Sequence, residues 1–190
     1  MSLKTTLLAL AVFGSVLCTN AADFARWSAF ESVDAFVGAA KAFQPAKSKS
    51  DLSALFTARD RGQTEDFAPI AANSIQASVA LWSNRSRALV FATAAPATEA
   101  APSSIGVLFL LARANDRWHI ADYRQFSASG KEASVSAELT AGTRTGYHLG
   151  SEGMMPVVTV KECHGGRGYA YQLSGSYSFQ GAKLNALELE

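Results

Sequence analysis

The sequence predicts an α+β fold in which two N-terminal helices pack on an antiparallel sheet and a C-terminal β-meander follows. Three observations lead to it. Apolar residues recur at helical spacing between positions 28 and 56, alternate or run continuously between 75 and 126, and form strand-like segments separated by glycines in the last third. With 190 residues, 48% hydrophobic and 17% charged, the chain has the composition of one folded domain and excludes a disordered tail, a disulfide-dense miniprotein and a collagen-like fibre.

The first element is a leader. Met1 to Lys4 make a short positive segment and Leu7 to Leu17 an apolar run that is short for a bilayer span, as in a secretory signal peptide. Small residues at Thr19 and Ala21 place the cut after Ala21, with the bond after Ala22 as its neighbour. The expected organisation is therefore a signal peptide over residues 1–21 and a single α+β domain over 22–190. A sub-boundary is expected near 127–153, and residues 154–190 form the meander. Location is secreted or periplasmic.

The first helix is expected over residues 28–43. Phe30, Val33, Phe36, Val37, Ala40 and Phe43 form one apolar stripe, Ser28 and Glu31 make a capping box, and Pro45 stops the helix. A shorter helix starts from Ser50 or Asp51 and runs through Leu52, Leu55 and Phe56. Residues 57–73 lack periodicity and suit a surface connection. Ile75, Ala77, Val79 and Leu81 then alternate with smaller or polar residues, and Ser83-Asn84-Arg85-Ser86 turns the chain into Ala88 to Ala94 as a hairpin. Residues 96–103 suit a mobile loop.

Ile105 to Ala112 is apolar on both faces, which predicts a strand buried on both sides at the centre of the sheet. Asn115-Asp116 turns the chain into a strand from Trp118 to Phe126. Simple alternation puts Trp118, Ile120 and Asp122 on one face and His119, Ala121 and Tyr123 on the other. Val135, Ala137 and Leu139 form a weaker alternation, strand or short helix. Val157 to Lys161, Tyr169 to Phe179 and Leu184 to Leu189 are three further strands, with turns at Gly165-Gly166 and Gln180-Gly181. The meander either extends the first sheet, to six or seven strands in all, or makes a second layer.

The helix pair, the long hairpin and the run Arg117-Trp118-His119-Ile120-Ala121-Asp122 together resemble the NTF2-like cone fold over residues 24–126. The resemblance implies an architecture for that stretch, and no functional residue is carried over from it.

Composition also limits function. Lys4 is the one charged residue of the leader, so cleavage reduces 17 basic residues to 16 against 16 acidic ones and leaves the mature chain neutral. Basic and acidic residues alternate, as in Arg59-Asp60-Arg61, and no basic face for nucleic acid is expected. His119, His148 and His164 are far apart, without metal-ligand spacing, and no phosphate-binding loop or serine-hydrolase elbow is present; no metal or cofactor is expected. Gly165-Gly166-Arg167-Gly168 is better suited to a hairpin than to an anion cradle, because no helix follows it. With Cys18 in the leader, Cys163 is the single mature cysteine, and on a strand it points away from His164. Asn84-Arg85-Ser86 matches a glycosylation sequon and is left unassigned.

Two functional expectations follow. The first is a noncatalytic binding or envelope-associated module for a protein, glycan or small molecule, with Tyr169, Tyr171, Tyr177 and Phe179 as candidate contact residues on one strand face. The same rings suit the core of a meander if they pack against Leu184 and Leu187. The alternative is a small-pocket enzyme of isomerase or dehydratase type, with His119 and Tyr123 as acid and base. N-terminal sequencing of the exported protein is expected to begin at Ala22 or, from the neighbouring bond, at Asp23; a chain that still starts at Met1 after export would exclude the leader.

Overall fold

The computed structural model describes residues 29–48, 50, 52–58, 70–96, 103–130, 132–140, 155–166 and 169–187. The leader, Ser28, Asp51, most of the 57–73 connection, the interior of the 96–103 loop, His148 and the Arg167-Gly168 step lie outside them.

Helix α1 spans Val33–Ala42 and begins five residues later than expected. Ser32 is its N-cap, with Oγ accepting the Ala35 amide at 3.0 Å. Phe30 is held outside the helix by a two-way backbone bridge to Trp118, at 3.1 and 2.8 Å. The strand that starts at residue 117 thus takes Phe30 as a short partner, a contact from the far side of the sequence that outweighs the local Ser28–Glu31 capping pattern. Phe43 ends the helix in an extended conformation, and Pro45 opens a 3-10 turn, Pro45–Lys47. Helix α2 is one turn, Leu52–Leu55.

Among the described residues nine strands follow, in two antiparallel sheets. β1 (Thr57–Ala58), β2 (Ile70–Ser83), β3 (Arg87–Pro96), β4 (Ser103–Ala114) and β5 (Arg117–Ser129) form the first sheet in chain order. β6 (Ser134–Thr140), β7 (Val157–Gly166), β8 (Tyr169–Gln180) and β9 (Lys183–Leu187) form the second. The meander is therefore a separate layer, and residues 134–140 are strand. Glu132 and Ala133 lie between β5 of the first sheet and β6 of the second.

The turns follow from local chemistry. Asn84 Oδ1 accepts the amides of Ser86 and Arg87 at 2.9 and 2.8 Å, closing β2 onto β3. Asn115 and Asp116 both take left-handed φ, 50° and 60°, as a two-residue hairpin loop requires, and join β4 to β5. Gly181, at φ 62°, turns β8 into β9. Gly165 and Gly166 are not a turn. They pair with Ala170 and Tyr169 and extend β7.

β3 and β4 are covered on both faces. On one face Ala88, Val90, Ala92, Ile105, Val107, Phe109 and Leu111 meet Phe36, Ala40, Leu52, Leu55 and Phe56 from the helical segment. Phe36 packs edge-on to Phe109 at 5.3 Å and to Phe30 at 5.1 Å, so rings fill the space between helix and sheet. On the other face Leu89, Phe91, Leu108, Leu110, Phe126 and Ala128 meet Val135, Val158, Val160, Phe179 and Leu184 from the second sheet. The continuous apolar run from 105 to 112 is thus buried on both sides, by helices on one and by a second sheet on the other.

The alternation of Ile75, Ala77, Val79 and Leu81 does not survive as one face. Register shifts at Ala72/Ser74, Ile75/Ala77 and Ala80/Trp82 rotate successive parts of β2. Ile75 enters the helix-side core, Leu81 packs on the sheet-side core and Val79 is exposed. No helix among the described residues is long and apolar enough to cross a membrane.

Gly106 of β4 is closed over by a side chain from each sheet. A Cβ there would lie 2.6 Å from both Phe91 Cζ and Val135 Cγ1. Gly106→Ala is expected to destabilise by about 1–3 kcal/mol, since the added methyl must displace packed side chains. Urea denaturation would show this as a lower midpoint at unchanged slope.

Candidate functional site at the seam between the sheets

β5 is an edge strand of the first sheet; β6, β7 and β9 run against it, and Tyr177 of β8 reaches its side chains. An edge strand carries backbone N–H groups with no strand partner. Here side chains accept them. Glu162 Oε1 takes the Ser127 amide and His164 Nδ1 the Ser129 amide, each at 3.1 Å. The two acceptors are two residues apart on β7 and the two donors two residues apart on β5, so strand periodicity on each side makes the match.

Asp122 does the same at the other end. Its Oδ1 accepts the amide of Tyr123 at 2.9 Å, and its Oδ2 accepts that of Leu184 on β9 at 2.8 Å. Ser104 Oγ accepts the Val135 amide at the start of β6 at 3.1 Å. The backbones of the two sheets meet at Gly130 and Gly165, which form a parallel bridge. Gly130, at φ 114°, has no room for a Cβ because Gly165 O occupies that position.

Between these fastenings lies a cleft of about 230 Å³. Arg124, Gln125 and Phe126 of β5 line one side, and Val160, Glu162, Leu173, Ser174, Gly175 and Tyr177 line the other. The Arg124 guanidinium carbon stands 5.2 Å from the centre of the Tyr177 ring, and Phe126 meets that ring edge-on at 5.1 Å. Tyr177 lies along its own strand over Gly175. A Cβ at Gly175 would sit 2.7 Å from the Tyr177 hydroxyl, so the glycine permits the flattened ring.

Burial raises the Tyr177 pKa above the ordinary phenol value of 10.0; the nearby Arg124 charge pulls it back in part, and Glu162 adds a smaller push upward. The hydroxyl therefore remains a hydrogen-bond donor throughout the neutral range.

The aromatic residues of β8 form a gradient. Phe179 is in the core with Leu184, as the meander-core expectation required, and Tyr177 is half-buried. Tyr171 and Leu173 are 50% and 52% exposed, with Tyr171 stacked on His164 at 4.6 Å and 6° between planes. The Tyr169 backbone pairs with Gly166, and its side chain lies outside the description. β8 thus passes from core to surface within one strand face.

His119 and Tyr123 do not come together. Register shifts between Leu110 and Leu111, with Leu110 opposite Asp122 and Leu111 opposite Ile120, so Ala121 is an extra residue in β5. The bulge puts Tyr123 opposite Phe109 on the helix-side face and His119 opposite Ala112 on the other. His119 Nε2 lies 3.2 Å from the Ala114 carbonyl at the hairpin. The shared face expected from strict alternation is lost, and with it a common acid–base pocket. Cys163 and His164 point apart as expected, Cys163 Sγ meeting Gln172 Oε1 at 3.8 Å. Among the described residues no group of three His, Cys, Asp or Glu side chains is arranged to hold a metal.

Arg124, Glu162, Ser174 and Leu173 were not singled out by the sequence. Arg124 and Glu162 are ordinary charges on strand patterns, and only the crossing of β5 over β7 and β8 brings them to one cleft. No protein-family model, no curated protein and no solved structure matches the chain.

The raised Tyr177 pKa has a signed consequence. The unfolded phenol loses its proton first as pH rises, so this contribution to stability is whole below pH about 10 and is lost as pH climbs through the raised native value. Denaturation midpoints at pH about 9 and about 11 are expected to fall less in Tyr177→Phe than in the parent protein. An equal fall in both would exclude the effect.

Proposed function

We propose that the protein is an exported, noncatalytic binding module whose ligand seat is the cleft between β5 and the β7–β8 pair. One observation carries the reading. Polar groups of different kinds, the Arg124 guanidinium, the Glu162 carboxylate and the Tyr177 hydroxyl, converge on a concave site that the exposed side chain of Leu173 also lines. Concave sites with a few placed polar groups and apolar or aromatic walls are where small ligands bind.

The same geometry argues for binding over turnover. Tyr177 is held in its protonated form and so is not poised to take a proton from a substrate. His119 and Tyr123 lie on opposite faces of β5, which gives the acid–base alternative no shared pocket. Export rests on the leader, residues 1–21, with its cut after Ala21.

The test is an amide-resolved NMR titration of the mature protein with two soluble probes, a chitin trisaccharide and a short peptide. A saturable perturbation confined to residues 124–126 and 171–177, lost in Tyr177→Ala, is the expected result. Saturable shifts centred elsewhere, or none with either probe at millimolar concentration, would overturn this seat. Conversion of a probe during the titration would overturn the noncatalytic part.

A further inference from the structure

We propose that His164 is an acid-released clasp that fastens the second sheet to edge strand β5, and this inference stands whether or not the cleft binds a ligand. The geometry fixes the state of the ring. Nδ1 accepts the Ser129 amide at 3.1 Å and lies 3.5 Å from Ser129 Oγ, so the neutral imidazole carries its proton on Nε2. Nε2 is enclosed and has no hydrogen-bond partner.

A histidine takes up a second proton in mildly acidic solution. Both ring nitrogens are then donors. In the closed seam Nδ1–H would face the Ser129 N–H, donor against donor, so the Ser129 amide loses its acceptor; the nearest oxygen to Nδ1–H is Ser129 Oγ, at the long distance of 3.5 Å, and Nε2–H has no acceptor. The surroundings offer the imidazolium little. β5 presents the uncharged Ser129, and β8 presents Tyr171, stacked in parallel on the ring. On β7 itself the neighbouring titratable groups are Cys163 and Glu162, whose Oε1 is engaged by Ser127, and Glu132 lies in front of Gly165. Among the described residues no carboxylate is within ion-pair distance of His164.

Protonation therefore favours a seam opened at this end, with Ser129 released and the Gly130–Gly165 bridge loosened, while the two cores stay packed. Glu162, two residues along, continues to hold Ser127. The clasp is thus a local device, distinct from acid unfolding of the whole fold.

Hydrogen exchange read by NMR tests it, with each amide compared with its intrinsic rate at the same pH. Between pH about 7.5 and about 5.5, protection of the Ser129 amide is expected to fall about tenfold, the size of one lost hydrogen bond, while Phe109 in β4 stays protected. His164→Asn supplies an acceptor oxygen near the Nδ1 position that takes up no proton in this range, and is expected to keep Ser129 protected at both pH values. His164→Leu removes the acceptor and should leave Ser129 unprotected at both. Equal protection of Ser129 at the two pH values in the parent protein, the same acid loss in His164→Asn, or a parallel loss at Phe109 would each overturn the clasp.

Discussion

The whole arrangement depends on β4 being apolar on both faces. A strand with Ile105, Val107, Phe109 and Leu111 on one side and Leu108 and Leu110 on the other cannot face water on either. At about 25 cal/mol per Å² of apolar surface, leaving one face open would forgo several kcal/mol, a large part of a domain's net stability. Two covers are therefore needed. The helical segment supplies one, with Phe36 wedged against Phe109, and the meander supplies the other, with Val135, Val158, Val160 and Phe179.

The second cover brings a polar problem. A sheet laid under the end strand of another encloses edge amides that have no ladder partner, and an enclosed amide without an acceptor costs about 1–3 kcal/mol. The chain meets this with side chains: Asp122, Glu162, His164 and Ser104 accept from Tyr123, Leu184, Ser127, Ser129 and Val135. These acceptors also close the β5 edge to another strand. The seam that results is polar and partly open, and the cleft is where its two walls diverge. Function is therefore proposed where packing stops, in the angle between edge strand β5 and the uncovered end of β8.

Much of the architecture was legible in the residues. The Phe36–Ala40 stripe, the Asn84 and Asn115-Asp116 turns and the strand triplet of the last third each state a local periodicity or a local φ requirement, and each forms as expected. The exceptions have non-local causes. The helix starts at Val33 because Trp118 captures Phe30, and Gly165-Gly166 stay extended because Tyr169 and Ala170 pair with them. The bulge at Ala121 separated His119 from Tyr123, and nothing in Ile120-Ala121-Asp122 announces it. Period-two reasoning assumes an unbroken ladder, and a single inserted residue reverses every face beyond it.

Taken alone, the order of residues determined most of the helical and extended segments, which strand must be covered twice, and which chemistries lack their motifs. Those properties depend on neighbours within a few positions. Tertiary structure decided that the meander is a second layer, that Arg124, Glu162 and Tyr177 share a cleft, and that His164 reaches Ser129. The reason is geometric: such contacts join residues about 15 to 55 positions apart, and the angle at which two sheets cross sets them.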